Sequence, residues 1–135
     1  MSRKLPHTPI KLDNGITTMN ELFDFLNSHV HVGKGRFEKN NLCVILFTSS
    51  YCRPCTTVKS RIFDEKTGEG LSEKFYNKGV TFFYVDISDN QDLSSEFTIS
   101  SIPHFYLMKA TGGNPESKCN FRGGSELEER INRYL

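Results

Sequence analysis

Two apolar runs organise the hydrophobic pattern of this chain, Leu42–Thr48 and Val80–Ile87. The first is continuous rather than alternating, which predicts a strand buried on both faces of a sheet, and the second reads as another buried strand. Between and around them the apolar positions follow helical spacing. Met19, Leu22, Phe23, Leu26 and Val30 predict one buried stripe, opened by a capping box of Thr18 and Glu21. Cys55, Val58 and Ile62 predict a second helix starting at Cys52. The run Asp64–Gly70 reads as a loop or break, and Leu71–Asn77 resumes helically until Gly79. Leu93 and Phe97 suggest a short helix within Asp89–Phe97. Leu127, Ile131, Tyr134 and Leu135 line a final helix capped by Ser125 and Glu128.

Shorter strands complete the pattern. Ile10–Leu12 precedes the turn dipeptide Asn14-Gly15. Phe105–Met108 and Lys118–Phe121 flank a Gly112–Pro115 turn and should pair antiparallel. The predicted order, β-α-β-α-β-α-β-β-α, implies an α/β domain with a central mixed sheet and helices on both faces. Residues 1–9 read as a flexible arm and 10–135 as one domain. With 135 residues, one core fits and two would be cramped.

Charge narrows the function classes. A formal net charge of +1 and the lack of a basic cluster argue against nucleic acid or an anionic membrane as partner. The N-terminus is charged without a following apolar segment, and no run is long enough to span a bilayer. A cytoplasmic protein is expected.

The chemistry concentrates in Cys52-Arg53-Pro54-Cys55. Cys52 falls where a buried strand passes into a helix. Backbone N–H groups and the positive end of the helix dipole favour a thiolate there, and Arg53 adds a positive charge. Pro54 suits the first turn, where a missing N–H is tolerated. A two-residue gap brings the sulfurs together across one turn, so Cys52 can attack a disulfide and Cys55 can resolve the mixed disulfide. Cys55 should be the more buried. A CxxC also serves as half of a zinc site, but Cys43, Cys119 and four scattered histidines supply no second half at metal spacing. No metal and no cofactor are implied. Cys43 reads as a small core residue and Cys119 as part of an edge-like strand. Asp86 could pair with a lysine or reach the periphery of the site, and a plain solvated carboxylate is at least as good a reading.

Further residues join this centre to a known family. Tyr51-Cys52-Arg53-Pro54-Cys55 after an apolar strand resembles the active site of the thioredoxin family. Val85-Asp86-Ile87, Gln91-Asp92-Leu93, Phe97 and Ile99…Ile102-Pro103 resemble its segment leading to a cis-proline. Phe121-Arg122-Gly123 before a helix resembles its C-terminal end. The resemblance covers roughly Ile10–Leu135 and implies the thioredoxin fold, with reduction of protein disulfides through Cys52 and Cys55. It implies that Pro103 is cis and that Tyr51, Arg53, Pro54, Ile102, Pro103 and His104 bind substrate, the Ile102 backbone pairing with it like an added strand. The implied partners are disulfide-containing proteins and a reductant such as thioredoxin reductase or the glutathione system. A monomer is expected.

Several positions depart from the family pattern. Tyr51 stands for the usual tryptophan, Arg53 for glycine, Ser60 for a helix-kinking proline and His104 for threonine. Leu46 occupies the place of a buried acid thought to assist proton transfer at the resolving cysteine. Asp64–Gly70 looks like an insertion. His104 reads either as a thiolate partner of Cys52 or as a half-exposed residue shaping the substrate groove. These departures motivate an alternative, a partner-binding or redox-regulatory module with weak general reductase activity. A glutaredoxin-like protein, using glutathione or an iron–sulfur cluster at Cys52, is a third reading.

Overall fold

A computed structural model of the chain describes residues 7–29, 42–64, 67, 70–99, 101–109, 116–119 and 124–134. In chain order the elements are β1 (Ile10–Lys11), α1 (Met19–His29), β2 (Leu42–Thr48), α2 (Arg53–Ile62), α3 (Leu71–Tyr76), β3 (Val80–Asp86), α4 (Gln91–Glu96), β4 (His104–Lys109), β5 (Glu116–Cys119) and α5 (Gly124–Arg133). The strands form one five-stranded sheet in the order β1-β3-β2-β4-β5. β1 and β2 run parallel to β3, while β4 is antiparallel to both β2 and β5. The mixed sheet is the one the sequence implied.

The continuous apolar run of β2 has a direct cause. Each of its seven residues is buried, because helices cover both sheet faces. Val44, Leu46, Phe82 and Phe105 pack on one face with Val58 and Ile62 of α2, Phe75 of α3 and Ile131 of α5. Cys43, Ile45, Phe47 and Phe83 pack on the other with Leu22 and Leu26 of α1 and Leu93 of α4. Alternate residues of one strand therefore serve two separate cores.

Local rules set the helix boundaries. The Thr18 hydroxyl accepts from the Glu21 amide at 3.2 Å, and the Thr18 amide donates to Glu21 Oε1 at 3.1 Å, which closes the capping box. Hydrogen bonds from the backbone and side chains of Thr17 and Thr18 hold the Glu21 carboxyl below its ordinary pKa. Gly70, just before α3, lies close against the end of α2. It has φ +130°, and a Cβ there would lie 2.7 Å from the carbonyl oxygen of Ile62. Only glycine fits that approach.

The structure corrects some boundaries. β5 starts at Glu116, two residues before the expected Lys118, because pairing with β4 sets its register: Leu107 faces Glu116 and Phe105 faces Lys118. α5 starts at Gly124, one residue before the Ser125 expected to cap it. His7, assigned to the arm, packs its ring against Phe63 and Tyr76, and Thr8 and Pro9 are half-buried. Val30, Leu135 and the Gly112–Pro115 turn lie outside the described residues.

Candidate active site

Three strand ends meet at one edge of the sheet. Thr48, the last residue of β2, faces Asp86, the last of β3, and Phe47 faces His104, the first of β4. The segment leaving β2 and the segment entering β4 therefore sit at the same end of the sheet. The first carries Tyr51–Cys55 and the second carries Ile102-Pro103. In α/β sheets this end, at the carboxyl termini of the parallel strands, is where sites form.

The turn after β2 is held by short-range bonds. The Cys52 amide donates to the Ser49 carbonyl at 3.2 Å, and the Tyr51 amide donates to Ser49 Oγ at 3.2 Å. Cys52 has extended backbone angles, φ −99° and ψ 109°, and caps α2. Its sulfur accepts from the Cys55 amide at 3.3 Å. A helix N-terminus needs an acceptor for its unpaired N–H groups, and here that acceptor is the Cys52 sulfur. The same donor stabilises negative charge on sulfur once the cysteine is reduced. Pro54 lies in the first turn, where its missing N–H leaves no gap.

Cys52 and Cys55 are joined by a disulfide, with their Cα atoms 5.2 Å apart. Cys55 is fully buried and Cys52 is half-buried. Tyr51 projects into solvent with 91% of its surface exposed, and Arg53 and Pro54 are exposed beside it. The Ile102–Pro103 peptide is cis. Pro103 is buried and Ile102 is half-buried.

His104 differs from the half-exposed residue expected. It is buried, because its place opposite Phe47 turns its ring to the sheet face covered by α1 and α4. The ring meets Phe47 edge-on at 6.2 Å and stacks on Tyr106 at 6.5 Å. Burial pushes its pKa below the ordinary histidine value. Leu46 is 1% exposed and faces α2. It contributes to a cavity of about 650 Å³, together with Thr56, Lys59 and Ser60 of α2 and Tyr84 of β3. The Lys59 ammonium sits 4.9 Å from the centre of the Tyr84 ring. This cavity is not legible from the sequence, since it depends on how α2 crosses the sheet. Asp86, for which a solvated carboxylate was at least as good a reading, does reach the periphery of the site: its carboxylate accepts from the Ser50 amide at 3.2 Å.

A mixed sheet covered on both faces, with a disulfide-forming CxxC opening a helix beyond a central strand, defines the thioredoxin-like class of dithiol proteins. The comparisons with known proteins agree. The Thioredoxin family model matches residues 30–133. Thioredoxin H4 of Arabidopsis thaliana is 37% identical over 97 residues, covering 72% of this chain and 74% of its own. Thioredoxin of Callithrix jacchus is 30% identical over 96 residues, covering 71% and 82%. Among solved structures, thioredoxin NaTrxh from Nicotiana alata superposes with a TM-score of 0.65 at 23% identity, covering 99% of this chain and 98% of that one. That last likeness concerns the fold.

The chain belongs to the thioredoxin family. It is a thiol–disulfide oxidoreductase, an enzyme that reduces disulfides. Protein disulfides are the family's substrates, and a reductase system is its general partner. Among the described residues no helix is long and apolar enough to cross a membrane.

Proposed function

We propose that Cys52 is the attacking cysteine and Cys55 the resolving one. The observation that carries this assignment is the cap of α2. Cys52 is half-buried and its sulfur accepts a backbone N–H at 3.3 Å, while Cys55 is fully buried. The accessible, thiolate-stabilised sulfur attacks one sulfur of a substrate disulfide. A Cys52–substrate bond forms, the substrate S–S bond breaks, and the departing substrate thiolate takes up a proton. Cys55 then gives up its proton and attacks the Cys52 sulfur. The Cys52–Cys55 bond forms, and the second substrate thiol leaves. Two electrons have passed from the dithiol to the substrate.

Substrate docks on the surface made by Tyr51, Arg53, Pro54, Ile102 and Pro103. Tyr51 offers an exposed ring, Arg53 a charge, and the Ile102 backbone an edge for an extended chain. His104, buried beneath this edge, supports the start of β4 through Phe47 and contributes to binding through that support. Residues 10–135 act as one unit, and residues 1–9 are an N-terminal extension. The oxidised enzyme is recycled by a thioredoxin reductase or glutathione system. A reducing compartment such as the cytoplasm suits a dithiol that works from the reduced state.

The test is reduction of insulin with dithiothreitol as electron source. Turnover well above dithiothreitol alone, lost in Cys52→Ser, supports the assignment. Turnover retained in Cys52→Ser contradicts it.

A further inference from the structure

The redox turn has a tether outside itself. Ser49 holds the Cys52 and Tyr51 amides from within the turn. The Ser50 amide instead donates to Asp86 Oδ2, a residue 36 positions away at the end of β3. Asp86 is well placed to hold it. Its other carboxylate oxygen accepts from the Ser88 amide at 2.8 Å. Its carbonyl accepts from the Asp89 and Asn90 amides, and the following Ile87 amide donates to the Thr48 carbonyl at 2.9 Å. The carboxylate is thus fixed between the β3–α4 turn and the redox turn. A charged acceptor makes the stronger class of hydrogen bond to an amide.

Tyr51 follows Ser50 directly and is 91% exposed. A ring so little packed takes its position from the backbone of the turn. We infer that Asp86 is a positioning residue for protein-substrate recognition, acting through Ser50 on Tyr51 rather than on the sulfur chemistry. This rests on the proposed docking role of Tyr51. Loss of the tether releases the turn and disperses the ring over many orientations, so docking weakens while the bond exchange between sulfurs proceeds as before.

The experiment is steady-state reduction of insulin by the full chain, driven by dithiothreitol, with KM and kcat measured separately. Asp86→Ala is expected to raise KM about tenfold, the loss of one charge-assisted hydrogen bond, with kcat changed less than about twofold. Asp86→Asn keeps one acceptor oxygen for two amides and falls between, and it decides the matter if the alanine variant fails to fold. Tyr51→Ala is expected to raise KM similarly, and Asp86→Ala/Tyr51→Ala to add little to either single change, as for two residues acting as a unit. A lower kcat at unchanged KM, or fully additive effects, overturns the inference. A raised KM in Tyr51→Ala with both Asp86 variants at wild-type values overturns it while leaving the docking role of Tyr51 intact. An unchanged KM in Tyr51→Ala overturns both.

Discussion

Leu46 is the departure whose effect the structure sets most sharply. Leu46→Asp places a carboxyl where the side chain is 1% exposed, in the cluster with Val58, Ile62 and Phe105. Losing the leucine's buried surface costs about 2 kcal/mol. Burying a polar group with incomplete partners adds roughly 1–3 kcal/mol. With the carboxyl protonated, near pH 4, the total is about 3–5 kcal/mol, a large part of the roughly 5–15 kcal/mol that holds a typical domain together. Lys59 on the same cavity wall can turn toward the new carboxylate, which limits the further cost of ionising it at neutral pH.

The pH dependence carries the sign. Burial raises the carboxyl pKa in the folded state above its unfolded value of about 4. Between those two values the unfolded chain holds fewer protons, so the variant loses stability as pH rises. The deficit is smallest near pH 4 and grows toward neutrality. Urea unfolding of the oxidised protein, followed by far-ultraviolet circular dichroism at several pH values, measures it. The variant also brings a proton acceptor to the sheet face under α2, and resolution of a mixed disulfide by Cys55 is expected to quicken. A Leu46→Asp protein as stable as wild type at neutral pH, or one whose deficit is greatest in acid, refutes the reasoning.

Two further changes probe the framework. Burial depresses the folded-state pKa of His104, so the unfolded chain binds the extra proton first and stability falls as pH drops below about 6.5. His104→Phe is expected to flatten that part of the stability curve, by up to about 1.4 kcal/mol per pH unit, and matching slopes in the two proteins contradict this. Gly70→Ala forces a methyl to within 2.7 Å of the Ile62 carbonyl at φ +130°. It should cost about 1–3 kcal/mol and lower the melting temperature, and an unchanged melting temperature argues against the close approach of Gly70 to the end of α2.

The sequence disclosed most where burial and periodicity agree. β2 runs from Leu42 to Thr48 as read, because a strand covered on both faces leaves no polar alternation to blur its limits. The Thr18–Glu21 capping box and the place of Cys52 at the head of α2 were legible because caps depend on local residue types. The start of β5 was not, since pairing with β4 chose it and no apolar pattern marks it. The burial of His104 was missed for a related reason. Which face a residue meets at a strand's first position depends on register with Phe47 across the sheet. The roles of Asp86 and Ser50 required two segments 36 residues apart to be seen together.

The central claim is the order of attack, and trapping the covalent intermediate tests it most directly. Reduced Cys55→Ser protein mixed with insulin should accumulate a mixed disulfide through Cys52, located by mass spectrometry of the non-reduced adduct, because no second thiol is there to resolve it. The converse variant, Cys52→Ser, should trap almost none, since Cys55 is buried. An adduct that forms through Cys55 in Cys52→Ser as readily as through Cys52 in Cys55→Ser would contradict the assignment.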